Sequence, residues 1–220
     1  MSDLVARTGR LHQRYEDGYR LVAGCIPFKY RDSGENCGGK TKQNLQVLMI
    51  NSTSGPGLLF PKGIIPCGID VSGWGYSYAR LFWMVYMCMR HTLEGGWEND
   101  ETVEQAATRE AIEEAGVRGE IMDCLGRYRF KSKTHQDEFS PEGLCEAAMF
   151  PLFVKEELNS WPEQNTRQRR WLTIPEAAEN CRHAWMREVL EEGFCKWHEE
   201  KLSAGKGNSA FSVSSSPPDQ

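Results

Sequence analysis

The residues best suited to chemistry are Glu110, Glu113 and Glu114, in the run Arg109-Glu110-Ala111-Ile112-Glu113-Glu114-Ala115-Gly116-Val117. On a helix, positions i, i+3 and i+4 share one face. Three carboxylates crowded together repel unless cations neutralise them, and all-oxygen ligands suit the hard ions Mg²⁺ or Mn²⁺. Arg109 reaches Glu113 at i+4 and holds its carboxylate. Thr102 and Gln105 form a capping-box start and Gly116 supplies a left-handed stop, so the spacing predicts a helix over residues 103–115. Ala106 and Ala107, one turn earlier, are small enough to let that helix sit close on a sheet. Divalent ions shield the oxygens of a diphosphate, and a carboxylate helps an activated water attack phosphorus in line. Phosphoanhydride hydrolysis is the expected reaction. A bare Glu-x-x-Glu-Glu run would read as a solvated acidic face with one salt bridge; the longer pattern around it decides against that.

That longer pattern is Gly95-Gly96-Trp97-Glu98-Asn99-Asp100-Glu101, then seven residues, then the run above. It satisfies G-x5-E-x7-R-E-U-x-E-E-x-G-U at every fixed position and so resembles the Nudix hydrolase box. The resemblance implies Glu113 as general base, Glu110 and Glu114 as metal ligands, and a metal contact from the backbone at the box glycine, Gly95. The spacing alone leaves the roles of the three carboxylates interchangeable. The likeness covers about residues 16 to 200. Asp17-Gly18-Tyr19-Arg20, Ala23-Gly24-Cys25 and Arg167-Gln168-Arg169-Arg170-Trp171 look like the diphosphoinositol polyphosphate phosphohydrolase branch, particularly its plant members. Arg170 departs from it, standing where relatives of the animal branch often carry Glu before the Trp. The branch implies removal of the β-phosphate from inositol pyrophosphates, with diadenosine polyphosphates also split. So anionic a substrate needs clustered cations inside an acidic protein. The candidates are Arg20, Lys62, Lys131, Lys133, His135, Arg167 and Arg169, densest in Lys131-Ser132-Lys133-Thr134-His135. The runner-up substrates are dinucleoside polyphosphates or a capped RNA end. A catalytically impaired binding variant is the alternative of a different class.

The elements that must position these residues follow from the pattern of the whole chain. Its 220 residues fit one domain with tails. Apolar residues make up 40% and charged residues 26%, a globular balance. The net charge of −5, from 26 Lys and Arg against 31 Asp and Glu, argues against long nucleic acid as partner and leaves a small anionic phosphorylated substrate. A monomer is expected. Strands are predicted over residues 21–28, 45–50, 121–130, 145–154 and 169–174, and a second helix over 184–201. That helix carries Trp185, Val189, Leu190, Phe194 and Trp197 at core spacing. The result is an α/β (α+β) class, a mixed sheet sandwiched between helices, as the Nudix resemblance also implies. The domain is expected over residues 17–201, after an arm of 1–16 and before a disordered Ser/Gly/Pro-rich tail of 202–220.

The eight cysteines, at 25, 37, 67, 88, 124, 145, 181 and 195, form no C-x-x-C pair and suit reduced thiols in the cytoplasm, with the nucleus also open. Arg7, Arg10 and Arg14 make a mitochondrial arm the second choice. No apolar run approaches the ~20 residues of a membrane span. The P-loop pattern Gly34-Glu35-Asn36-Cys37-Gly38-Gly39-Lys40-Thr41 precedes a strand rather than the helix that phosphate binding needs, and so reads as a hairpin. Asn51-Ser52-Thr53 matches a glycosylation acceptor, but the cysteine usage argues against a secreted chain.

Between Phe60-Pro61-Lys62 and Gly95 stand 32 residues, 63–94, that interrupt the family's F-P-K-G-G-W-E-N-D-E-T. They hold six aromatics and three Met but only four Asp, Glu, Lys or Arg. This insertion reads as a retained intron or a gene-model error, with a lineage-specific loop as the alternative. Closing a loop of this length costs about 3 kcal/mol.

Overall fold

A computed structural model of the chain describes residues 13–37, 40–53, 55–63, 97–132 and 139–207. Gly95, Lys133, His135, the insertion beyond Gly63, most of the expected arm and the end of the tail lie outside the described residues.

Leu21 to Phe28 form an almost unbroken buried run, from fully buried to 6% exposed. Such a run suits a strand covered on both faces. It is the heart of β2 (Tyr19–Cys37), which pairs antiparallel with β3 (Lys40–Asn51) and parallel with β7 (Leu144–Glu157), in register from Arg20↔Cys145 to Phe28↔Phe153. Around this centre the mixed sheet runs β4-β3-β2-β7-β5, where β4 is Leu58–Leu59 and β5 is Val117–Ile121. Three short strands complete it: β1 (Tyr15–Glu16) on β2, β6 (Gly126–Lys131) on β7, and β8 (Arg169–Leu172) on β3. The sheet therefore begins before residue 17, because β1 is already paired.

Helices cover both faces. The first, α1 (Val103–Ala115), packs on β2 and β5 through Ala106, Ala107 and Ala111, each fully buried. On the other face lie α2 (Ile174–Asn180), α3 (Ala184–Glu188), a π-helical stretch (Val189–Cys195) and α4 (Lys196–Gly207). Phe28 from β2 meets Phe194 at 5.3 Å and Trp197 at 5.7 Å between ring centroids, and Phe130 of β6 stacks on Trp185 at 4.6 Å. The expected aromatic core positions are thus core positions, and helix continues to Gly207, past residue 201.

Three local differences from expectation have physical causes. The expected strand 121–130 is two strands, because its partner β7 carries Pro151, which has no N–H to donate. The link between β5 and β6 lies opposite that point, held by Met122 N–H to Pro151 O at 2.9 Å and Leu125 N–H to Met149 O at 2.8 Å. Ile174 starts a helix rather than ending a strand, since Thr173 and Glu176 form a capping box, with a 2.8 Å bond from Thr173 N–H to Glu176 Oε2. The long C-terminal helix loosens into π-helix around Gly193, where a Cβ would lie 2.6 Å from Tyr128 Oη. In the P-loop pattern Cys37 pairs with Lys40 across two antiparallel strands, and strand rather than helix follows.

Candidate active site

The site is built on α1, and its end signals act as predicted. Gln105 N–H donates to Thr102 Oγ1 at 3.2 Å, and Thr102 N–H to Gln105 Oε1 at 2.8 Å. Gly116 closes the helix at φ 59° with its N–H on Ile112 O at 3.0 Å. Between these ends Glu110, Glu113 and Glu114 are buried, at 3%, 7% and 2% exposure.

The three carboxylates divide into two ion-paired sets. Arg109 donates to Glu113 at 3.2 Å, as its spacing predicts, and also to Glu110 at 2.6 Å. It further grips Glu101, the first acid of the box, through two bonds of 2.8 and 3.1 Å. Burial works against the Arg109 charge, but Glu101, Glu110 and Glu113 overcome it and raise its pKa. Glu101 in turn accepts Glu98 N–H at 3.1 Å, and the loop from Glu98 to Glu101 is held from outside by Arg14. Arg14 donates to the carbonyls of Glu98, Asn99 and Glu101 at 3.0, 2.8 and 3.1 Å and stacks over Trp97 at 4.7 Å. In the sequence Glu101 stands out only as a fixed position of the box, and Arg14 only as one of three arginines in the arm.

Glu114 belongs to the second set. Its Oε2 accepts Lys62 N–H at 2.8 Å and its Oε1 accepts Arg167 Nη2 at 2.7 Å. Burial first, then the neighbouring charge of Glu163, pushes Glu114 up to about 7 against the pull of Arg167 and Lys62. Burial likewise raises Glu110 well above the usual carboxylate range, against Arg109. Lys62 is 6% exposed, and burial lowers its ammonium to about 8 while Glu114 pulls the other way. Its Nζ lies 5.8 Å from the Phe130 ring, and its backbone is bridged to Gly24, where a Cβ would come within 2.7 Å of Lys62 Cβ. Beneath the carboxylates Cys25 is fully buried, and burial with the charges of Glu114 and Glu110 keeps its thiol protonated.

The expected substrate cations are distributed differently from the expected cluster. Arg20 is 1% exposed and donates to Gln13 Oε1 at 3.1 Å. Arg167, also 1% exposed, is ion-paired to Glu114 and Glu163. Arg169 donates to Gly116 O and Leu158 O, each at 3.1 Å, and lies over Trp161 at 4.0 Å. In the fold all three guanidiniums are engaged by protein acceptors. Lys131 is exposed and pairs with Glu142 at 3.0 Å. Among the described candidates Lys62 and Arg167 reach the carboxylate cluster, both at Glu114, Lys62 through its backbone N–H and Arg167 through Nη2.

The donor set fits a hard divalent ion: it is all oxygen, and it sits where burial already disfavours uncompensated carboxylate charge. Among the described residues no group of three or more His, Cys, Asp or Glu converges as a ready ligand cluster, since Arg109 and Arg167 occupy several of the oxygens. A depression of about 460 Å³ opens beside α1, lined by Arg109, Ile112, Glu113, Ile121 and Pro162 among others. No helix among the described residues is long and apolar enough to cross a membrane.

This arrangement of box, helix and sheet belongs to a recognisable class. The NUDIX domain matches residues 81–193. Nudix hydrolase 16, mitochondrial, of Arabidopsis thaliana is 59% identical over 206 residues, covering 94% of this chain and 97% of its own length. Nudix hydrolase 13, mitochondrial, of the same plant is 45% identical over 197 residues, covering 87% and 82%. Among solved structures, the E. coli dihydroneopterin triphosphate pyrophosphohydrolase is similar with a TM-score of 0.49 and 16% identity, covering 83% of this chain and 97% of its own. A C. elegans Ap4A hydrolase binary complex gives a TM-score of 0.47 at 17% identity, covering 82% and 98%. The chain belongs to the Nudix hydrolase family and is a pyrophosphohydrolase of that class, whose members generally use divalent metal ions.

Proposed function

We propose that this chain hydrolyses diphosphoinositol polyphosphates with Mg²⁺ or Mn²⁺, removing the β-phosphate. The observation that carries the reading is three buried carboxylates on one helix face with the Lys62 side chain buried beside them. A bound divalent ion would be held by Glu110 and Glu114, with the backbone at Gly95, and would supply neutralisation of the diphosphate oxygens. Glu113 takes the proton from the water that attacks phosphorus. Arg109 holds Glu113 and Glu110 in place, and Lys62 offers its ammonium to the phosphate oxygens. Lys131, with Lys133 and His135 beyond the described residues, supplies further positive charge to a polyanionic ring. Dinucleoside polyphosphates are the second substrate class. The names of the two plant relatives favour a mitochondrial location over the cytoplasm.

The test is phosphate release from an inositol pyrophosphate with Mg²⁺, using the full chain, a version lacking residues 63–94, and Glu113→Gln in each. Release by the full chain, falling about 10²- to 10⁴-fold in the Gln variants, is the expected result. Turnover of diadenosine polyphosphates alone would replace the substrate class. Activity confined to the shortened chain would make the full chain an impaired variant.

A further inference from the structure

Two residues that the mechanism does not use are knitted together beneath the active helix. Asn51, at the end of β3, spends all four of its polar groups on residues 166–168. Its side-chain Nδ2 donates to Thr166 O at 3.2 Å, and its Oδ1 accepts Gln168 N–H at 2.6 Å. Its backbone N–H donates to Gln168 O at 3.3 Å, and its carbonyl accepts Arg167 Nη1 at 3.0 Å. The Asn51 side chain thus stands in for a strand partner and fixes the backbone on both sides of Arg167. These bonds explain Asn51 without the sugar that its Asn-Ser-Thr context invites.

Arg167 spreads its planar fork over three acceptors. Nη2 meets Glu114 Oε1 at 2.7 Å, Nε meets Glu163 Oε2 at 3.1 Å, and Nη1 takes the Asn51 carbonyl. Glu163 returns to the active helix, its own N–H donating to Glu113 O at 3.1 Å. Glu114 is therefore gripped from two sides, by Arg167 on one oxygen and by the Lys62 backbone N–H on the other. An ionised carboxylate has about four lone-pair sites, so two remain for an ion while the group can no longer rotate. A lysine could supply charge but not three fixed directions.

We propose that Arg167 and Asn51 are positioning residues for the ion-binding edge of the active site: Asn51 fixes the 166–168 backbone, and Arg167 fixes the carboxylate of Glu114. The inference rests on the reading of Glu114 as an ion ligand. Residues that orient metal ligands in this way are typically worth 10- to 100-fold in ion affinity.

The test titrates Mn²⁺ into the full-length protein and follows free Mn²⁺ by electron paramagnetic resonance. It compares Arg167→Lys, Asn51→Ala, Glu114→Gln and the Arg167→Lys/Glu114→Gln double variant, with thermal melts to establish folding. Arg167→Lys is expected to weaken Mn²⁺ binding about 10- to 100-fold and Asn51→Ala by a smaller factor, while the double variant binds no worse than Glu114→Gln alone. Should Arg167→Lys fail to fold, Asn51→Ala carries the test, because it leaves both buried charges paired. Wild-type affinity in the folded Arg167 or Asn51 variants, with Glu114→Gln weakened, would overturn the inference and leave Glu114 a ligand. A further loss in the double variant would also overturn it, since Arg167 would then act elsewhere. Unchanged affinity in Glu114→Gln would remove the ligand reading and the inference with it.

Discussion

Arg109 and Glu101 face each other through two parallel hydrogen bonds, 2.8 and 3.1 Å, so that a loop acid fixes the guanidinium that in turn touches Glu110 and Glu113. A bidentate pair of this kind sets direction as well as charge. In Glu101→Gln the amide NH₂ would oppose one of the arginine donors, and the fork would turn. Hydrolysis is expected to fall about 10- to 100-fold with an unchanged circular dichroism spectrum. Wild-type turnover in that variant would show that the pair has no part in ordering the carboxylates.

Gly116 meets two demands at once. It lies at φ 59°, and a Cβ there would come within 2.5 Å of the Trp161 ring. Gly116→Ala should destabilise the fold by about 1–3 kcal/mol, read as a lowered melting temperature. Adding Trp161→Ala should recover only part of that loss, since it relieves the clash and leaves the backbone strain. Full recovery would assign the whole effect to the clash.

Acid should loosen the C-terminal helix. His198 Nε2 lies 2.8 Å from Tyr30 Oη, and burial lowers the His198 pKa, with Glu199 pulling weakly the other way. The unfolded histidine titrates near 6.5, so the folded protein binds fewer protons below that point. The stability linked to neutral His198 is present above about pH 6.5 and is lost as the pH falls through the lower folded value. Melting curves from pH 7.5 to 5 should show a fall that His198→Gln flattens; parallel curves for the two proteins would exclude His198 as its source.

Glu110 should oppose stability and support binding of the ion. Its carboxylate is buried beside Glu113 and Glu114, and burial raises its pKa well above the usual range. Glu110→Gln is expected to raise the melting temperature of the metal-free protein. The same change should shrink the rise that Mg²⁺ or Mn²⁺ produces, which for wild type is worth about 2.7 kcal/mol at a hundred times Kd. A variant that melts lower without metal and responds fully to it would contradict this assignment of roles.

Local chemistry made α1 legible from sequence. Thr102, Gln105 and Gly116 act within a few residues of the helix they bound, and the three glutamates fall on one face by spacing alone. The central strands were legible because β2 and β7 are apolar on both sides. The Thr173-Ile174-Pro175-Glu176 start of α2 is equally readable as a capping box, but the apolar Trp171-Leu172 before it makes Ile174 look like the end of a strand. Cation roles were not readable. Arg167 acquires its role from Glu114, 53 residues away, and from Asn51, 116 residues away. A motif rich in arginine looks alike whether its charges meet a substrate or a buried acid, and only the fold decides which.

Arg14 also limits how the chain can be cut. Its three bonds to the Glu98–Glu101 carbonyls, and the bond of Gln13 Nε2 to Leu21 O at 2.6 Å, tie the beginning of the fold to the loop that presents Glu101. A cut that removes Gln13 and Arg14 would release the loop and, through Glu101, the arginine that is bonded to Glu110 and Glu113.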